Sequence, residues 1–365
     1  MRHKWRLWRG EAKLDFESIK AIILEHFQVE DALMEFNVPT FYLKQNQETK
    51  EPFLKVLKKL DEMNLIAFMR KSDGRVFIKV LPKPPSKPID VRVNWLLLIL
   101  TICTTFATGY ILSASLAQIG GPINPIVGGA LFTISIMAIF GLHEIGHKIA
   151  ARKEGVDATP PYFIPGPPPV GGIFGIGTFG AIILQRTLPP NKDALFDIGL
   201  SGPIVSFIMA TIISAVGSLI AVPAEPTEAT MLPAPLMMLV IGNILGWLGV
   251  APQAPPGKAL YMHPVEFAGW VGMLITALNL LPAAMLDGGH IARSVLGDRA
   301  RSVLTFLSIL ILVLSDFWLM ALFVLFLSMQ KHPGPLDDVS GLSRGRKALA
   351  ALLVAVFILT FPILR

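Results

Sequence analysis

The chain has 365 residues, 53% of them hydrophobic and only 16% charged, with a mean hydropathy of +0.59, which excludes an ordinary soluble globular domain. Its formal net charge of +6 would suggest nucleic acid in a soluble protein; beside long apolar blocks it is read as membrane topology instead, and no nucleic-acid partner is expected. Cys103 is the only cysteine and lies in an apolar run, which excludes a disulfide framework and a cysteine-ligated zinc site.

Residues 1–88 differ from the rest. The opening "MRHKWRLWRGEAKLDF" has no apolar core of signal-peptide type, so secretion and cleavage are not expected. "FESIKAIILEHF" and "KEPFLKVLKKLDEMNLI" place apolar residues at helical spacing with Lys and Glu opposite. "AFMRKSDGRVFIKVL" alternates on both sides of Ser72-Asp73-Gly74, a hairpin pattern. The expectation is a small soluble α+β domain, 1–88, closed by the stiff linker "PKPPSKP". Its helix-then-hairpin order also suits a winged helix or a docking module; an accessory or substrate-gating domain is preferred.

The remainder, 89–365, reads as an α-helical polytopic membrane protein, each crossing needing about 20 apolar residues. Spans are expected over 93–117, 124–151, 195–222 and 264–296, a tight pair of short helices over 301–330 around Ser315-Asp316, and a last span over 348–364. That makes six or seven transmembrane helices. Basic residues collect on one side: the N-terminal region, then Lys148, Arg152, Lys153, Arg186 and Lys192, then Arg293, Arg299 and Arg301, then Lys331, Arg344, Arg346 and Lys347. The opposite loop, 223–263, holds only Lys258. This asymmetry puts the N-terminus and the basic loops in the cytoplasm. The segment 236–250 would invert the next helix if it crossed, so it is read as re-entrant or interfacial.

Against that background "FGLHEIGHKIA", 140–150, carries three ionisable groups into a span. His143 and His147 are four residues apart, lie on one helical face and can offer imidazole nitrogens to one ion; Glu144 can reach a metal-bound water. The bland alternative is a structural histidine pair, but ionisable groups inside membranes are expensive and mark function. Gly146 would let another segment approach. A catalytic zinc takes three protein ligands and leaves a position for water. In "TALNLLPAAMLDGGH", 276–290, Asp287 sits at the depth of His147 and is the third candidate; otherwise it caps a helix or pairs with Arg293. Pro282 is expected to kink or loosen its helix, and Gly288-Gly289 to loosen it again. Asn279 is the candidate donor to a substrate carbonyl or its oxyanion, unless it merely links helices. His290 ranks behind Asp287, and His263 lies at the wrong depth.

"HEIGH" followed by "NLLPAAMLDGG" resembles the site-2 protease family of intramembrane zinc metalloproteases, whose pattern is H-E-x-x-H plus N-x-x-P-x-x-x-L-D-G. His143, Glu144, His147, Asn279, Pro282, Leu286, Asp287 and Gly288 meet every fixed position. "GTFGAI" (177–182), "HPVEFAGW" (263–270) and "HPGPLDD" (332–338) resemble its cyanobacterial, archaeal and chloroplast branch. The resemblance implies a catalytic core over 124–297 and one Zn2+ on His143, His147 and Asp287. It further implies Glu144 as the base that activates water for hydrolysis of peptide bonds in or near transmembrane segments. Ser206 in "GLSGPIVSF" stands where the family often has Asn, which leaves its role open. No inserted PDZ domain is visible.

The prolines of 159–190 forbid a regular helix, while "GIFGIGTFGAIIL" suits strands. A membrane-embedded β-hairpin that clamps extended substrate by strand addition is expected there, against the alternative of a surface Pro-rich loop. The partners implied are single-span membrane-protein substrates and the lipid bilayer, with self-association left open. The location implied, with no transit peptide visible, is a prokaryotic plasma membrane with the site opening to the cytoplasm. The competing functions are a metal or ion transporter, disfavoured by the absence of an inverted repeat of hydrophobic segments, and a catalytically silent binding protein.

Overall fold

The computed structural model describes residues 15–85, 90–169, 175–227, 232–315, 317–330 and 332–362. The N-terminal peptide to residue 14, linker residues 86–88, positions 170–174 of the expected hairpin and Asp316 lie outside the described residues.

The first elements are α1 (Phe16–His26), β1 (Val29–Glu35), β2 (Val38–Leu43), α2 (Lys50–Glu62), β3 (Leu65–Ser72) and β4 (Arg75–Pro82). The strands form an antiparallel sheet in the order β1-β2-β4-β3. Ile19 and Ile23 of α1 and Phe53, Val56 and Leu60 of α2 bury against Phe41, Met69 and Ile78, so the amphipathic periods seen in the sequence become one core. The β3–β4 turn is Asp73-Gly74 with φ +53° and +80°, the twist a two-residue hairpin requires. The β1–β2 turn at Phe36-Asn37 also has positive φ, although Phe36 gives no such signal in the sequence.

This unit is stitched to the far end of the chain. Segment 336–338 runs parallel to the edge strand β3: Met69 N–H donates to Leu336 O at 2.9 Å and Asp338 N–H to Met69 O at 3.2 Å. Leu336 is buried in the αββαββ core. Arg70 Nη1 donates to Leu336 O at 2.7 Å.

Among the described residues three helices are long and apolar enough to cross a membrane: α3 (Val91–Gln118), α4 (Pro125–Lys153) and, after the antiparallel strands β5 (Tyr162–Pro165) and β6 (Thr178–Ile182), α5 (Lys192–Leu219). At 1.5 Å per residue, 28 residues span about 42 Å, more than a hydrocarbon core of about 30 Å. Asn124 caps α4 by accepting from the amides of Ile126 and Val127, with Pro125 at the first helical position. On α3 the distribution is inverted relative to a soluble helix: Asn94, Thr101, Thr105, Thr108 and Ser113 face inward, while Trp95, Leu96 and Ile99 are exposed. Then come β7 (Val222–Ala224), α6 (Leu236–Trp247) and β8 (Ala259–Tyr261), with β7 and β8 paired. α7 (Pro264–Leu280), α8 (Asp287–Leu296), α9 (Asp298–Leu314), α10 (Trp318–Ser328) and α11 (Arg344–Thr360) complete the chain. Phe132, Ile136 and Ile139 of α4, Ala210 of α5, and Trp270 and Met273 of α7 share a core.

The stretch 264–296 is not one loosened helix. Leu281, held extended before Pro282 (φ −54°, ψ 130°), ends α7 outright, and α8 restarts at Asp287. The expected pair of short helices in 301–330 is present as α9 and α10.

Asp193, near the start of α5, ties three regions together. It accepts from Lys50 Nζ of α2 at 2.5 Å, from Ser343 N at 2.9 Å and from Arg346 Nη1 of α11 at 2.9 Å. Asp193→Asn leaves the two cations without their shared carboxylate and is expected to weaken the docking of the N-terminal unit by about 1–3 kcal/mol. Faster hydrogen exchange along β3, with unchanged zinc content, is the expected readout; identical exchange in the variant would refute it.

Candidate metal centre

α4 places His143, Glu144 and His147 in its interior-facing half, and all three are buried. The break before α8 brings Asp287 to them from a different part of the chain. Nε2 of His143 lies 3.0 Å from Nε2 of His147. Oδ2 of Asp287 is 3.3 Å from the former and Oδ1 is 3.3 Å from the latter. Among the described residues this is the one group of three ligand-type side chains close enough to share an ion. Tetrahedral zinc with bonds of about 2.0–2.2 Å separates its ligand atoms by about 3.3 Å, so the donor set fits zinc.

Second partners aim the rings. An Nε2 that faces a cation must carry its proton on Nδ1. His147 Nδ1 lies 2.7 Å from Ile198 O of α5, which accepts that proton. His143 Nδ1 lies 3.2 Å from Ser206 Oγ. Ser206 Oγ is in turn 2.9 Å from Thr276 Oγ1, whose own proton goes to Gly272 O at 2.7 Å. The direction is therefore His143 N–H to Ser206, Ser206 O–H to Thr276, with Pro203 O at 3.1 Å as a second acceptor for Ser206. Ser206, left open by the sequence, thus bonds the His143 ring. Ser206→Ala is expected to weaken zinc about tenfold, the low end for loss of such a partner. Competition against a chromophoric chelator measures this, and an unchanged affinity would remove Ser206 from the site.

Glu144 is not among the three side chains grouped to share an ion: its Oε1 lies 4.0 Å from His143 Nε2. The amide of Ile183, just past β6, lies near its carboxylate. Leu184 turns its N–H and C=O toward Thr159 on the β5 side, so strand alternation turns Ile183 the other way, toward Glu144. Asn279, in the last turn of α7, points Nδ2 at His143 Nε2 from 3.5 Å. Gly146 admits α5, whose Ser201 carbonyl would lie 3.0 Å from a Cβ at that position.

His290 stands apart. Its Nδ1 bonds His332 Nε2 at 2.8 Å, and His332 Nδ1 accepts from Gly334 N at 2.9 Å. Arg293 pairs with Asp338 at 2.5 Å rather than with Asp287. His263 caps the opposite end of α7 by accepting from Val265 N.

A profile of peptidase family M50 matches residues 131–320, a span that contains all five of His143, Glu144, His147, Asn279 and Asp287. "Probable zinc metalloprotease EGY1, chloroplastic" of Oryza sativa subsp. japonica is 33% identical over 255 residues, 66% of this chain and 41% of its own length. The protein of the same description in Arabidopsis thaliana is 31% identical over 252 residues, 65% of this chain and 43% of its own. "Probable zinc metallopeptidase EGY3, chloroplastic" of Arabidopsis thaliana is 25% identical over 334 residues, 82% of this chain and 56% of its own. The chain thus spans between two fifths and three fifths of these relatives. No solved structure matches it.

Proposed function

The chain belongs to peptidase family M50, and from that premise we propose that it is an intramembrane zinc metalloprotease that hydrolyses peptide bonds in or near the spans of single-span membrane proteins. The observation that carries this reading is the buried cluster of two imidazole nitrogens and one carboxylate at 3.0–3.3 Å, with a second carboxylate, Glu144, beside it and outside the cluster.

His143, His147 and Asp287 would hold zinc, which when bound lowers the pKa of water toward about 7 and polarises a carbonyl. Glu144 takes a proton from the attacking water and returns it to the leaving amide nitrogen. Asn279 Nδ2 faces the same space and serves as donor to the substrate carbonyl oxygen as negative charge develops on it. A helical substrate hides its carbonyls in its own hydrogen bonds and has to be unwound. Ala181, which turns the same way along β6 as Ile183, supports pairing of an extended substrate with that strand edge, next to the base.

In this reading α3, α4, α5, the α7–α8 pair, the α9–α10 pair and α11 cross or re-enter a prokaryotic plasma membrane. α6 lies at the outer interface, and the αββαββ unit is a cytoplasmic accessory domain. The excess of Lys and Arg at the α4–α5 and α10–α11 connections supports this orientation. The test is to incubate detergent-purified protein with a panel of single-span substrates and map cut sites by mass spectrometry. Zinc-dependent cuts inside or bordering the span are expected. Cuts confined to soluble loops, or none with zinc bound, would overturn the reading.

A further inference from the structure

Asp287 is the ligand that arrives from a broken helix, so something must hold the break open in one shape. Between α7 and α8 the chain makes a turn in which Leu286 N–H donates to Ala283 O at 3.1 Å. The second residue of that turn, Ala284, has φ +46°, the left-handed region that alanine disfavours. Ala284 is fully buried, so water cannot satisfy its backbone. Both of its polar groups are taken by α9: its N–H donates to Thr305 Oγ1 at 3.0 Å, and its carbonyl accepts from Arg301 Nη1 at 3.2 Å. Thr305 donates its own proton to Arg301 O at 2.8 Å, which leaves its oxygen free to accept. Arg301, itself buried, is fixed by Nε and Nη2 on Asp298 Oδ1 at 3.1 and 2.9 Å.

The turn sets α8 directly. A Cβ on Gly288 would strike the carbonyls of Leu280 and Leu281, and one on Gly289 those of Ala283 and Ala284, so the first turn of α8 rests on this backbone. His290 N–H closes that turn on Leu286 O at 3.0 Å.

Resting on the metal-site reading above, we infer that Arg301 and Thr305 are positioning residues that hold Ala284 left-handed and thereby aim Asp287 at the two histidines. Neither touches a ligand atom in the described contacts; they act through three residues of backbone.

The test measures zinc affinity by chelator competition, and the absorption bands of the cobalt-substituted protein, for Thr305→Val, Thr305→Ser and Thr305→Val with Ala284→Gly. Thr305→Val keeps the shape but removes the acceptor, and should weaken zinc about tenfold, as loss of an outer partner does, with shifted cobalt bands. Thr305→Ser keeps the acceptor and should match wild type. Glycine adopts positive φ without penalty, so the double variant should recover the part of the lost affinity that the backbone conformation costs, though its N–H stays unpaired; general destabilisation of α9 would not be rescued this way. Wild-type affinity in Thr305→Val, or no recovery in the double variant, would overturn the inference. If wild type takes up no zinc, the metal-site reading has failed, and the clamp is judged by hydrogen exchange. Exchange over 283–290 that does not accelerate in Thr305→Val would then overturn it.

Discussion

Glu144→Gln is expected to retain about one zinc per chain while losing peptide-bond cleavage by a factor on the order of 10²–10⁴, the range for removal of a positioned acid–base group. Glutamine preserves the shape but cannot take up the proton of the attacking water. Because the carboxylate sits 4.0 Å from His143 Nε2 and outside the ligand trio, its replacement leaves the metal set intact. The two quantities must be measured on one preparation. Loss of zinc with loss of activity would make Glu144 a ligand rather than a base, and undiminished cleavage would place the base elsewhere.

Gly202→Ala is expected to mimic removal of His147. In a helix interior this exchange ordinarily stabilises by up to about 1 kcal/mol, so no folding defect is anticipated from propensity. Yet a Cβ at 202 would overlap Nε2, Cδ2 and Cε1 of the His147 ring at once, and α5 cannot retreat because Ile198 O holds the far nitrogen of that ring. The imidazole must swing off the metal, and the expected loss of zinc affinity exceeds the 10–100-fold typical of outer partners. Chelator competition on a variant that retains wild-type secondary structure decides it; affinity within tenfold of wild type would mean that α5 yields and the ring stays.

How much of this was readable beforehand depends on the reach of each signal. The pairing of His143 with His147 needs only the helical period, because four residues return to the same face whatever the tertiary fold. Asp73-Gly74 likewise declares its turn locally. Asp287 required more, a depth argument from basic loops, and the three-residue cluster at 3.0–3.3 Å agrees with it. Pro282 pointed to a distortion but not to a full stop, since a proline can kink or end a helix and only the neighbours decide. Ala284 carried no warning at all: alanine suggests continued helix, and its left-handed backbone exists only because Thr305 and Arg301, on the next helix, satisfy it. The Ser206 relay was hidden for the same reason, as serine in an apolar helix is mute until its partners on α4 and α7 are known.

The pairing of β3 with 336–338 has a consequence in the order of synthesis. The αββαββ unit is translated before the helices, but its core includes Leu336 and its edge strand waits for the backbone beside it. Roughly 250 residues separate the end of β4 from Leu336, so at about 5–20 residues per second the unit stays unsealed for roughly 10–50 s while the intervening helices are made. During that interval the unpaired side of β3 is open to wrong partners. A connection made after α3 to α10 therefore finishes a unit made before them, and a ribosome stalled ahead of it would leave an inserted helical core beside an incomplete sheet.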